Sequence, residues 1–98
     1  MRSGSPKRSR ADLYAKVLEV ITHHPEGVRI TKLSYGVGAP VDRLKLLVQK
    51  LCSLGLVRKS VNDDETMYSA TKKGLEFLDT YWKMKGFLQE FGDGLPNP

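Results

Sequence analysis

Between Asp12 and His23 the large apolar residues recur as Leu13, Val17, Val20 and Ile21, the three- and four-residue spacing that lays one apolar stripe along a helix. Ser9 or Asp12 offers a cap for its start, and His23, His24, Pro25 and Gly27 mark its end. A short β-like stretch, Val28-Arg29-Ile30, comes next. Thr31 is then placed to cap a brief second helix that turns Leu33 and Val37 inward and is broken by Gly36 and Gly38. Pro40 suits the first position of a third helix, where its missing N–H costs nothing. That helix carries Val41, Leu44, Leu47, Val48, Leu51 and Leu54 on one face and stops at Gly55. Two strand-like runs, Leu56 to Val61 and Thr66 to Ala70, flank the polar turn Asn62-Asp63-Asp64-Glu65 and predict a β-hairpin. Thr71 caps a last helix from Lys72 to about Phe91.

The predicted order is therefore helix, short strand, helix, helix, hairpin, helix. Two helices joined by a tight Gly-containing turn and followed by a hairpin make a helix-turn-helix with a wing. The expected fold is mainly α with one small hairpin, as a single domain. Residues 1–11 read as a flexible basic arm, 12–71 as the winged helix-turn-helix, 72–91 as a long C-terminal helix of coiled-coil type, and 92–98 as a disordered tail.

Charge gives this frame a partner. The net charge is +5, but residues 1–59 hold twelve Lys/Arg against four Asp/Glu, a balance of +8, while residues 60–98 stand at −3. A field concentrated in this way favours a polyanion, nucleic acid before an anionic membrane. With the apolar face of the third helix turned inward, Asp42, Arg43, Lys45, Leu46, Gln49, Lys50 and Ser53 face outward. Arg and Lys reach guanine edges or phosphates and Gln pairs with adenine. The candidate DNA contacts are Lys7, Arg8 and Arg10 of the arm, Lys32, then Arg43, Lys45, Gln49 and Lys50, and Arg58 and Lys59 in the first strand. Arg43 and Gln49 are the expected base readers.

Other chemistries find little footing. Cys52 is the one cysteine, so the chain builds neither an internal disulfide nor a multi-cysteine zinc site, and it sits at the edge of the apolar face as a small core residue. His23 and His24 point about 100° apart on a helix and suit a helix C-terminus better than a metal. There is no nucleophile elbow, phosphate loop or H-E-x-x-H motif, so no enzymatic activity, metal, cofactor or small-molecule ligand is expected. Nor is a membrane partner, since no apolar run approaches about 20 residues. A cytoplasmic, nucleoid-associated protein is the expectation.

The last helix carries a second signal. Phe77, Tyr81, Met84, Leu88 and Phe91 are spaced four, three, four, three, the repeat of a coiled-coil seam, beside a neighbouring stripe of Leu75, Leu78 and Trp82. One stripe can dock on the domain's own core while the other meets a second copy. The seam of five is assigned to a homodimer.

Leu51-Cys52-Ser53-Leu54-Gly55-Leu56-Val57 together with Tyr68-Ser69-Ala70-Thr71-Lys72-Lys73-Gly74-Leu75-Glu76-Phe77-Leu78 resembles the signature of archaeal winged-helix proteins. The chain is most similar to the archaeal ten-kilodalton chromosomal DNA-binding family over roughly residues 12–91. That resemblance implies a chromatin-associated or regulatory double-stranded DNA-binding protein that dimerises through its C-terminal helix. The chain departs from the family at Gly38-Ala39-Pro40-Val41, where a polar cap is usual, and at the acidic tip Asp63-Asp64-Glu65, whose carboxylates would repel phosphates. Arg58 and Lys59, rather than the tip, are therefore expected to approach the DNA backbone. The alternative is a winged helix used for protein–protein interaction in a transcription or viral assembly, to which the acidic wing and the exposed Val41 and Leu46 would belong.

Overall fold

The computed structural model describes residues 9–92, with side chains described up to Gln89. The elements are α1 (Arg10–Thr22), α2 (Ile30–Val37), α3 (Val41–Ser53), β1 (Val57–Asn62), β2 (Glu65–Ala70) and α4 (Lys72–Gly92). Ser9 caps α1 in a reciprocal box. Its hydroxyl accepts the Asp12 N–H at 3.1 Å, and the Asp12 carboxylate accepts the Ser9 N–H at 3.3 Å. Arg10 and Ala11, grouped with the arm by composition, are thereby drawn into the first turn of α1.

Around α2 four local expectations change, the first being that the β-like stretch shrinks to Val28 because Ile30 opens the helix. Arg29 occupies the N-cap position and Thr31 lies inside the helix, so Thr31 is not the cap. Gly36 also lies inside α2 and does not break it. A Cβ there would come 2.6 Å from Val20 Cγ1, so the missing side chain lets α1 and α2 approach closely. Gly38, at φ 78°, is the residue that ends the helix, in the left-handed conformation that only glycine adopts without cost. Pro40 sits one position before the helix proper, as N-cap to Val41.

The three apolar stripes close on one core. Val17, Leu18, Ile21, Leu33, Leu44, Val48 and Leu51 are essentially inaccessible to solvent, and each contributes roughly 1.5–3 kcal/mol of burial. Leu54, expected on the same face, lies just past the last turn of α3 and is partly exposed. The hairpin pairs Val57 with Ala70 through to Asn62 with Glu65, and Val28 adds one bridging residue by exchanging two backbone hydrogen bonds of 2.9 Å with Tyr68. Asp63 and Asp64 form the two-residue turn at φ 48° and 67°, the mirror-image geometry whose twist matches the strands.

The junction into α4 explains the Thr71–Gly74 segment. The Thr71 hydroxyl accepts the Gly74 N–H at 3.0 Å, capping the helix, and donates to the Gly55 carbonyl at 2.6 Å beyond the end of α3. The Thr71 N–H also donates to the Leu56 carbonyl at 3.1 Å. Gly74 lies against that same backbone: a Cβ on it would overlap the Leu56 carbonyl oxygen and stand 3.2 Å from Leu18 Cδ2.

Further along α4, the seam assigned to a dimer is divided. Tyr81 is buried at 8% exposure, and Phe77 is half-buried against the same core, their rings stacked at 6.4 Å. The Tyr81 hydroxyl donates to the Asp12 carboxylate, while Lys85 Nζ lies 4.0 Å from that carboxylate and 5.9 Å from the Tyr81 ring centre. These contacts draw the first half of α4 onto α1, so Phe77 and Tyr81 complete the chain's own core. Met84 and Leu88, farther along, are exposed, as are Leu75 and Trp82 on another side of the helix. Phe91 lies within α4, but its side chain falls outside the described residues.

Candidate nucleic-acid interface

Burial of Leu44, Val48 and Leu51 fixes the rotation of α3 and thereby decides which side chains it presents. Lys45 and Gln49, four residues apart, run along the flank facing the hairpin. Arg43 and Lys50, seven apart, run along the flank facing α1. Leu46 lies between the two rows, and all five side chains are exposed. The first turn holds Asp42 at the positive end of the helix, where a carboxylate is favoured.

Each flank borders a hollow. On the hairpin side, Lys45, Gln49 and Cys52 from α3 meet Lys59 and Tyr68 across a concavity of about 390 Å³. Lys59 pairs with Tyr68 across the strands, so two hydrogen-bonding tips from the wing face two from the helix. Partial burial pushes the Cys52 thiol and the Tyr68 hydroxyl above their ordinary pKa values, which keeps both in their neutral forms at neutral pH. Cys52 packs on the core edge as expected, and a thiol so shifted is a poor nucleophile. On the other side, Arg10, Arg43 and Lys50 rim a hollow of about 430 Å³ floored by Leu13, Tyr14 and Leu47, with Leu46 at its lip.

Not every candidate joins these two flanks. Arg58 and Lys59 are neighbours on a strand and so project to opposite faces, which leaves Arg58 off the face that holds Lys59. Lys32 lines a different hollow, with Arg29 and Met67, between the start of α2 and the hairpin. Lys7 and Arg8 fall outside the described residues. At the wing tip, Glu65 is paired with Arg29 at 2.9 Å, so one of the three acidic residues is matched by a cation. Beyond Phe87 of α4, two exposed or half-exposed aromatic groups near these surfaces were not among the candidate contacts. Tyr68 is revealed only by its pairing with Lys59, and Tyr35 projects from α2 at 90% exposure. Among the described residues no cluster of His, Cys, Asp or Glu is placed to hold a metal ion, and no helix is long and apolar enough to cross a membrane.

A family model described as winged helix-turn-helix matches residues 7–89. Among curated proteins, none matches the sequence. Similar solved structures include a MarR-family transcriptional regulator from Silicibacter pomeroyi, with TM-score 0.69, 22% identity, and coverage of 90% of this chain and 60% of that one. FabT of Streptococcus pneumoniae, solved in complex with DNA, has TM-score 0.65 and 16% identity over 86% of this chain and 61% of its own. Sso10a-2, a DNA-binding protein from Sulfolobus solfataricus, has TM-score 0.66 and 18% identity over 93% of this chain and 100% of that one. The chain thus spans about 60% of the length of these two bacterial regulators and the whole of the archaeal protein.

Proposed function

Since the chain belongs to the winged helix-turn-helix family, we propose that it binds double-stranded DNA with little sequence preference, as a chromatin-associated or transcription-regulating protein. In this reading α3 enters the major groove and Lys59 follows the flanking backbone. The observation that carries it is the placement of Arg43, Lys45, Gln49 and Lys50 in two exposed rows along one helix, with Arg10 and Lys59 added from α1 and the wing. Such rows straddle a groove, with Arg10, Lys45, Lys50 and Lys59 toward the phosphates and Arg43, Leu46 and Gln49 within reach of the base edges. Arg43 and Gln49 carry base contacts where these form. Lys7, Arg8, Lys32 and Arg58 contribute through the wider field.

The same reading includes a homodimer. Phe77 and Tyr81 brace α4 from within, and the interface lies farther along, at Met84 and Leu88 with Phe91 continuing the same spacing. About three turns of α4 follow Tyr81, so a second copy is the natural cover for their apolar residues. Two linked copies would compensate through avidity for weak binding by one domain.

The test is fluorescence anisotropy with mixed-sequence duplex DNA over a salt series. Four cations directed at phosphates, Arg10, Lys45, Lys50 and Lys59, set the scale. Each phosphate contact contributes about 0.9 to the fall of log K with log salt, so a slope of about 4 is expected per chain. An affinity independent of salt would overturn the proposal.

A further inference from the structure

The outward ridge of α3 contains one residue that charge does not explain. The helix buries Leu44, Val48 and Leu51 and half-buries Val41 and Leu47, yet Leu46 stands at 68% exposure. It is surrounded on its own helix by Arg43, Lys45, Gln49 and Lys50, at offsets of minus three, minus one, plus three and plus four. A leucine ringed by these polar and cationic side chains, at the lip of the hollow floored by Leu13, Tyr14 and Leu47, gains nothing from water, but it gains from any apolar group presented by the polyanion its neighbours attract. It also lies in the first half of the helix, the part that a helix-turn-helix directs at base edges.

The major groove offers few apolar groups. Its edges are hydrogen-bond donors and acceptors except where a pyrimidine carries a C5-methyl, on thymine or 5-methylcytosine. We propose that Leu46 reads this methyl: exposed at the centre of the α3 ridge between two cationic rows, it packs on pyrimidine C5-methyl groups and biases binding toward thymine-bearing or methylated steps. The inference rests on the DNA-binding reading above and adds to it the chemical feature that is recognised. It also fits a weak preference, because a methyl contact carries no directional hydrogen bond.

Removing one such contact removes about one methylene's worth of burial, about fourfold in Kd. The experiment compares a short alternating d(A-T) duplex with the same duplex built with deoxyuridine, which deletes every methyl and keeps every hydrogen-bonding edge. The wild-type protein is expected to bind the thymine duplex at least about fourfold more tightly. A d(G-C) duplex should likewise gain affinity when its cytosines are 5-methylated. Leu46→Ala should erase both ratios, and Leu46→Met, which keeps an apolar tip, should restore most of them. Equal affinity of the wild-type protein for thymine and uracil duplexes would overturn the methyl reading and leave DNA binding standing. A ratio that survives in Leu46→Ala would overturn the assignment to this residue. Failure to bind any duplex would overturn both readings together.

Discussion

Replacing Gly74 by alanine opposes two well-defined forces at one atom. Helix propensity favours the substitution, by up to about 1 kcal/mol for a glycine within a helix. Packing opposes it, because the new Cβ would overlap the Leu56 carbonyl oxygen and lie 3.1 Å from its carbon. The obstacle is backbone, so no rotamer change relieves it and the start of α4 must move away. Overpacking of this kind costs about 1–3 kcal/mol. Displacement also strains the Thr71 bonds to Gly55 and Leu56, each contributing about 1 kcal/mol. After the propensity gain, Gly74→Ala should destabilise the fold by about 2 kcal/mol, a fall in Tm of about 10 °C for a domain of this size. Gly86→Ala is the matched control. Gly86 lies in the same helix, a Cβ there meets nothing within 4 Å, and the substitution should stabilise by up to about 1 kcal/mol. Urea titrations followed by circular dichroism measure both. If Gly74→Ala proves as stable as the parent, the close approach of α4 to Leu56 is wrong.

Three other substitutions probe other parts of the molecule. Asp12 is held below its ordinary pKa of 3.8, chiefly by the Tyr81 hydroxyl, so its contribution to stability is present above that value and is lost as pH falls through the folded one. Asp12→Asn should therefore narrow its stability gap to the parent as pH drops below about 4, and a gap constant from pH 7 to pH 2.5 would contradict this. Asp64→Gly relieves a non-glycine residue at φ 67° and removes a carboxylate from the wing, so thermal unfolding should show a gain of about 0.5–1 kcal/mol, and DNA affinity should rise at low salt. Met84→Glu places like charges in the proposed dimer interface and should halve the mass seen by sedimentation without loss of helical signal; a parent protein that already sediments as a monomer would refute the interface.

Much of the architecture was legible because it depends on local periodicity. The stripes in the first and third helices, the hairpin around two aspartates, and Thr71 as a cap all follow from spacing and side-chain chemistry within a few residues. What was missed depends on neighbours distant in sequence. Gly36 reads as a breaker until the helix facing it is known, since only Val20 across the interface shows why a side chain is excluded. The four-three repeat in α4 fits an internal core and a partner helix equally well, and Phe77 and Tyr81 go to the core. The hydrogen bond from Tyr81 to Asp12, 69 positions away, ties it to α1, which no local spacing foretells. At the candidate interface, the outward residues of α3 follow from its buried face. The split of Arg58 from Lys59 was available from strand alternation alone. The company kept by Tyr68 was not, because it needs the register of the hairpin against α3.

The Thr71 junction has a mechanical side as well. It clamps the root of α4 to the carbonyls just past α3, so the two helices share one rigid joint. An arm about 30 Å long turns one degree of tilt at its root into about 0.5 Å at its tip. If two copies meet near those tips, the joint works as a caliper: the distance between the paired α3 helices, and so the stretch of duplex they can straddle, is set by the angle that one threonine and one glycine hold.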